Sequence, residues 1–159
     1  MKRIIYLLVV MVLALSGCRE DLKELSKETQ PLSLTVDKDT LYLDQTEYNN
    51  DGLTLTWSAG SNRGTGSRIY YKLEVIQSGN NYDNALIIFD SVTATYQHVW
   101  KVDEINSLVV NDLGLPIDQS ASLSARITAS GENFDVQQAE CTFVIVPYKP
   151  LTHSLYIIG

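Results

Sequence analysis

The stretch LTLTWS at residues 53–58 decides the fold class, because its apolar side chains recur at every second position. Leu53, Leu55 and Trp57 share one face of an extended chain, and the threonines between them share the other face. A period of two is typical of a β-strand with one buried face. We therefore predict a strand here, with Trp57 in the core.

The same alternation recurs on both sides of this stretch, with turn signals every 8 to 15 residues. The other alternating or apolar segments are 32–36, 41–43, 71–75, 85–89, 95–100, 123–129 and 140–146. Strands of this kind bury their apolar faces best between two sheets. We predict an all-β protein, an immunoglobulin- or fibronectin-III-like antiparallel β-sandwich of about seven strands. One short helix is predicted, with Asp103 as its N-cap and with Gly114 and Pro116 after its end.

The charge of the chain argues against two classes of partner. Twelve Lys and Arg oppose 19 Asp and Glu, so the formal net charge is −7. Residues 1–17 hold two of the basic residues and no acid, so the remainder is near −9 (10 basic minus 19 acidic). Nucleic acid phosphates and anionic lipids both need clustered basic residues. We therefore expect no nucleic acid partner, and a membrane attachment that does not depend on charge.

Residues 1–17 have the layout of a signal peptide. Lys2 and Arg3 precede an unbroken apolar run of twelve residues, Ile4–Leu15. As a helix this run would span about 18 Å, which is too short for a bilayer core of about 30 Å. The small residues at 16 and 17, followed by Cys18, resemble the lipobox of bacterial lipoproteins. We expect diacylglycerol to be attached to Cys18, and the acyl chains to hold the mature protein in the lipid bilayer.

Residues 18–31 are polar and acidic, and we interpret them as a tether after the lipidated cysteine. Glu20 and Asp21 look like the surface-export signal of Bacteroides-type lipoproteins, which predicts an outer-membrane, cell-surface location. A disulfide between Cys18 and Cys141 is the alternative use of the two cysteines, and lipidation of Cys18 excludes it. Cys141 then lies alone in an apolar run, as a small buried hydrophobe.

The chain offers few groups for catalysis. His98 and His153 stand alone, without the spacing of a zinc site, and no nucleophile elbow of the Gly-x-Ser-x-Gly type is present. The glycine-rich segment 60–66 lacks the lysine of a phosphate loop. The oxygen-rich run 44–51 could bind calcium, although solvated turns more often have this composition. We predict no enzyme activity, no cofactor and no metal site.

Exposed aromatic residues can serve as platforms for sugar rings. Trp57 belongs to the core, and Tyr70 and Tyr71 must face opposite sides of their strand, so one of them is exposed. Trp100 and Tyr82 could also be exposed. A single exposed aromatic residue is ordinary on a β-sheet surface. We therefore assign no carbohydrate-binding residue in this chain.

Several motifs together resemble the amino-terminal domain of SusE-type outer-membrane lipoproteins. They are the lipobox ending at Cys18 and the segments 53–57 (LTLTW), 71–75 (YKLEV), 79–81 (GNN), 111–115 (NDLGL) and 125–129 (ARITA). The closing residues 155–159 (LYIIG) are similar to the first strand of the starch-binding modules that come after this domain in the family. The resemblance implies a glycan-binding lipoprotein that works beside a TonB-dependent transporter and its lid lipoprotein. Starch or a related polysaccharide would be bound by the later modules.

The predicted organisation has four parts. Residues 1–17 are the signal peptide, 18–31 the tether and 32–148 the β-sandwich. Residues 149–159 are a linker and the first strand of a further module, so we expect this chain to be a fragment of a longer protein. Two functions remain open: a spacer in a glycan-binding protein, and a structural or adhesin-type module with no glycan role. An enzyme is the least supported class.

Overall fold

Eight strands and one short helix make up residues 30–150, the part of the chain that the computed structural model describes. The strands are Leu34–Val36 (β1), Thr40–Tyr42 (β2), Asp51–Trp57 (β3), Tyr70–Gln77 (β4), Leu86–Ser91 (β5), Gln97–Lys101 (β6), Ala121–Ser130 (β7) and Gln137–Val146 (β8). The helical segments are the α-helix Val102–Ser107 (α1), the π-helix Leu108–Asp112, and the 3-10 helices Gln45–Glu47 and Tyr82–Asn84. The predicted signal peptide, Cys18, the tether up to residue 29, His153 and the strand at 154–159 lie outside the described residues.

The strands form two sheets, which confirms the predicted β-sandwich. One sheet has the order β1-β3-β6, and the other has the order β2-β8-β7-β4-β5. The prediction differs in two details. There are eight strands within residues 30–150 rather than about seven, and the β2–β8 pair is parallel while the other pairs are antiparallel. The parallel β2–β8 pair arises because the chain crosses from one sheet to the other at residues 37–39, between β1 and β2.

The core lies between the two sheets and uses the alternating side chains that the sequence predicted. Leu53 and Leu55 are fully buried, and Trp57 is almost so. From the other sheet, Leu73 and Ile127 reach the same interior. Burying one leucine side chain contributes about 1.5–3 kcal/mol relative to leaving it exposed. The period of two therefore fixes which face of each strand meets the opposite sheet.

The predicted N-cap of the helix is wrong. Helix α1 begins at Val102, so Asp103 lies inside its first turn. The cause is a tertiary contact: the Val102 N–H donates to the Asn50 carbonyl (3.0 Å), and the Asp103 N–H donates to the Tyr48 carbonyl (3.2 Å). Because a distant turn satisfies these two N–H groups, the helix needs no side-chain cap at residue 103.

Candidate functional site

His98 is placed as part of the core lining. It lies on β6 opposite Leu55, and its ring centroid is 4.3 Å from that of Trp100 and 6.2 Å from that of Phe89. Burial lowers the pKa of His98, so the imidazole is neutral at neutral pH. No group of three or more His, Cys, Asp or Glu side chains within residues 30–150 is arranged to hold a metal ion.

Cys141 carries a protected thiol. Its side chain is half-buried and packs against the core. This burial raises the pKa of the thiol to about 11, so the nucleophilic thiolate is scarce at neutral pH. Cys141 therefore fits its interpretation as a small hydrophobe.

The acidic run at residues 44–51 forms a turn with its own internal hydrogen bonds. The Asp44 carboxylate accepts hydrogen bonds from the Thr46 N–H (2.8 Å) and hydroxyl (2.9 Å), which lower the pKa of Asp44. The Asp51 carboxylate pairs with Lys101 Nζ at 2.5 Å. The Asp44 oxygens therefore stabilise the turn itself, and the Asp51 oxygen joins the start of β3 to Lys101 of β6.

One buried carboxylate, Glu74, lies on the outer face of the five-stranded sheet. Its Oε1 is 2.9 Å from Lys72 Nζ, and its Oε2 accepts hydrogen bonds from Arg126 Nη2 (3.0 Å) and Nε (3.2 Å). The Arg126 guanidinium stacks 3.7 Å from the ring centroid of Tyr82. Because both oxygens of Glu74 are occupied by cations, the group joins strands β4 and β7 and offers no free base.

The aromatic predictions have mixed outcomes. Trp57 is buried, and of the neighbouring tyrosines Tyr71 is buried and Tyr70 is exposed, as predicted for one of the two. Trp100 is wrong as a candidate surface residue, because it pairs with Leu53 on the inner face of β6 and is only 5% exposed. Tyr82 is half-buried, and this burial, with the nearby Glu140 carboxylate, raises the pKa of Tyr82 to about 12.

Two shallow clefts lie on the surface of the described residues. One, of about 600 Å³, lies between the exposed Tyr42 and the half-buried Tyr148. The other, of about 740 Å³, lies between the turn 79–81 and the end of the π-helix at Asp112. Thus two of the motifs behind the family resemblance, at 79–81 and 111–115, meet at one cleft. Neither cleft contains a histidine or a cysteine.

The chain enters the sandwich at the end where β3 finishes, which we call the proximal end (Pro31, Ser33 and Ser58). The Ser58 hydroxyl accepts a hydrogen bond from the Ser33 N–H (2.9 Å) and donates one to the Pro31 carbonyl (3.3 Å). The Ser58 N–H also donates to the Ser33 carbonyl (3.1 Å). A single serine therefore fastens the arriving chain to the end of β3.

The chain leaves at the opposite end, which we call the distal end (Asn106, Pro147 and Tyr148). The Asn106 carboxamide accepts a hydrogen bond from the Tyr148 N–H (2.9 Å) and donates one to the Tyr148 carbonyl (3.1 Å). Asn106 belongs to α1, which comes directly after β6. The last residue of β6, Lys101, pairs with Asp51 at the start of β3.

The length of β3 therefore separates the arriving chain from the departing chain. Its seven residues span about 20 Å at a strand rise of about 3.3 Å per residue. Ser58 and Asn106 were not singled out from the sequence. A signal for Asn106 exists: it shares the buried helix face of Val102, Ile105 and Val109, and a buried carboxamide requires a partner.

The described part of the chain has no helix that is both long and apolar enough to cross a membrane. A family model described as SusE outer membrane protein matches residues 19–128, which is more than half of the chain. The match covers β1 to β6, the helix and most of β7.

Comparisons with curated proteins and with solved structures identify no further family. No curated protein matches the chain. Among solved structures, the chain is similar to CopC from Methylosinus trichosporium OB3b, with 11% sequence identity and a TM-score of 0.35. That match covers 76% of this chain and 99% of the other.

Proposed function

Because this chain belongs to the SusE family of outer membrane proteins, we propose that it is the membrane-proximal spacer of a non-catalytic, glycan-binding surface lipoprotein. The observation that carries the proposal is the separation of the two chain ends. The chain arrives beside Ser58 and departs beside Asn106, about one strand length away. A domain with this geometry holds the next segment of the chain at a distance from the preceding one.

The lipid anchor at Cys18 is the second part of the proposal. It is supported by the basic head, the apolar run of signal-peptide length and the small residues before the cysteine. In this organisation residues 1–17 are removed, 18–31 link the acylated Cys18 to the sandwich at 32–148, and 149–159 lead into a further module. The protein would then be anchored in the outer membrane and exposed at the cell surface.

Polysaccharide, of a starch-like type, is the proposed ligand of the later modules. A TonB-dependent transporter and its lid lipoprotein are the proposed partners in uptake. Support comes from the family membership and from the likeness of residues 155–159 to the first strand of a starch-binding module. The described residues support a role without chemistry, since Glu74 is paired and His98 lines the core.

Affinity electrophoresis tests the proposal. The mature chain ending at Gly159 and the protein encoded by the whole gene are run in native gels with and without starch. We expect the longer protein to be retarded by starch and the shorter chain to migrate equally in both gels. Retardation of the shorter chain would contradict the spacer assignment, and a Tyr42→Ala variant would then test the exposed tyrosine as the contact.

A structural or adhesin-type module is the second candidate, and the same separation of the chain ends favours it. The two candidates differ in the sequence expected after Gly159. Paired aromatic residues on further β-modules support glycan capture, and Ser/Thr-rich repeats support a stalk. If neither starch nor any other polysaccharide in the gel retards the whole protein, the structural module is the better description.

A further inference from the structure

We propose that Asn106 is a clamp that fixes the direction in which the chain leaves the sandwich, so that the first hinge lies at Lys149 and Pro150. The proposal deepens the spacer role and rests on it. A spacer can set the orientation of a following module only if the residues that lead out of the spacer are held by its fold.

The clamp consists of two hydrogen bonds between one side chain and one backbone unit. Asn106 Oδ1 accepts from the Tyr148 N–H at 2.9 Å, and Asn106 Nδ2 donates to the Tyr148 carbonyl at 3.1 Å. The carboxamide thus pairs with Tyr148 as a neighbouring strand would. Asn106 is 2% exposed, so water does not compete for these bonds.

Asn106 is itself held in place by its helix. Val102, Ile105 and Val109 lie on the same buried face of the helical segment and anchor it in the core. The helix comes after β6 of the three-stranded sheet, whereas Tyr148 comes after β8 of the five-stranded sheet. The clamp therefore connects the two sheets at the distal end.

Three consecutive residues at the end of β8 and beyond it are held by three different parts of the fold. The Val146 carbonyl accepts from the Leu43 N–H (3.0 Å), and the Pro147 carbonyl accepts from the Asp118 N–H (2.9 Å). The next residue, Tyr148, is held by its two hydrogen bonds to Asn106. Lys149 and Pro150 are exposed, and neither makes a hydrogen bond within residues 30–150. Within residues 30–150, the hydrogen bonds that hold the departing chain therefore end at Tyr148.

Pro150 limits the backbone angles available at the hinge after the clamp. Pro150 fixes its own φ angle and disfavours helical conformations of Lys149, which is pushed towards extended backbone. Lys149 thus lies beyond the clamp, where Pro150 restricts it to extended backbone.

Amide hydrogen exchange and ¹⁵N relaxation of the full-length lipoprotein in detergent micelles test the clamp. In the unmodified chain we expect the Tyr148 amide to be as ordered as those of β8, with order falling at Lys149. In Asn106→Leu, which removes both bonds, exchange of the Tyr148 amide should accelerate about tenfold. The amides of β8 from Gln137 to Val146 should keep their exchange rates.

Two further variants make the test specific. Asn111→Ala removes an exposed asparagine of the same helical segment, whose Nδ2 donates to Ser107 Oγ (3.0 Å), and should leave exchange of the Tyr148 amide unchanged. Asn106→Asp keeps an acceptor for the Tyr148 N–H but loses the donor, so its effect should be intermediate. This variant also serves if Asn106→Leu does not fold.

Either of two results would overturn the clamp. One is a Tyr148 amide as mobile as that of Lys149 in the unmodified chain. The other is an Asn106→Leu or Asn106→Asp chain in which Tyr148 exchanges at its original rate. Neither measurement involves a glycan, so failure of the clamp is distinguishable from failure of the proposed function, which the starch gels test.

Discussion

The two ends of the sandwich hold the chain in different ways. At the proximal end, the Ser58 hydroxyl bonds an arriving chain whose Pro31 and Ser33 are exposed to solvent. At the distal end, the buried Asn106 bonds a departing chain whose Pro147 is fully buried. Water readily replaces exposed hydrogen bonds, whereas a buried group left without a partner is costly. The hydrogen bonds that hold the departing chain are therefore costlier to break than those that hold the arriving chain.

This asymmetry suits a spacer that hangs from a lipid. In the proposed organisation, the anchor at Cys18 fixes only the point at which the chain meets the bilayer, so rigidity at the proximal end would gain nothing. Rigidity at the distal end would matter, because it would set the orientation of the proposed next module relative to the sandwich. The difference between the ends therefore predicts large effects where the chain is anchored or buried, and small effects where it is solvated.

The largest expected effect belongs to the proposed lipid anchor at Cys18, which precedes the proximal end. In Cys18→Ser we expect nearly all of the protein to leave the membrane pellet for the soluble fraction, measured by fractionation without detergent. The reason is that each buried methylene of an acyl chain contributes about 0.8 kcal/mol, and two or three chains are lost together. Cys141→Ser is the matched control and should stay in the pellet. If Cys18→Ser also stayed there, the proximal end would have a second attachment.

The next effect is at the distal end, in the free energy of unfolding. Asn106→Leu leaves the N–H and carbonyl of Tyr148 without their partners, and we expect a loss of about 3 kcal/mol. Urea unfolding of the chain measures it. Asn111→Ala should change the free energy by less than about 0.5 kcal/mol, as surface substitutions usually do. A loss below about 1 kcal/mol in Asn106→Leu would contradict the buried clamp.

The sequence predicted the strands well because alternate side chains of a strand face opposite sides whatever the strand pairs with. It failed where distant segments decide the outcome. Trp100 is buried because β6 pairs with β3, and Asp103 is not a cap because carbonyls some fifty residues earlier in the chain bond the helix start. The Asn106–Tyr148 contact joins residues 42 positions apart, so only the fold brings them together.

The smaller effect at the proximal end sharpens the contrast between the ends. Ser58→Ala removes the hydroxyl that bridges Ser33 and Pro31, and we expect a loss of about 0.5–1 kcal/mol in urea unfolding, because water can reach the freed groups. Thr35→Ala is the matched control, since its hydroxyl also makes one exposed bond, to the Thr56 carbonyl (3.2 Å). A loss in Ser58→Ala equal to that of Asn106→Leu would show that the two ends are held alike.

The last and smallest effect concerns His98, which lies opposite Leu55 in β3 and so between the two ends. Burial lowers the pKa of His98 in the folded chain, while the nearby Glu104 carboxylate opposes this shift. The unfolded chain therefore binds a proton first as pH falls. The contribution of the neutral His98 to the free energy of unfolding is fully present above pH about 6.5. It is lost as the pH falls from there towards the lowered pKa of the folded chain.

Urea unfolding between pH 7.5 and pH 5 measures this loss. In His98→Gln, the free energy of unfolding should fall less steeply with decreasing pH over this range. A His98→Gln chain that lost as much free energy of unfolding between pH 7.5 and pH 5 as the unmodified chain would show that other groups cause this loss.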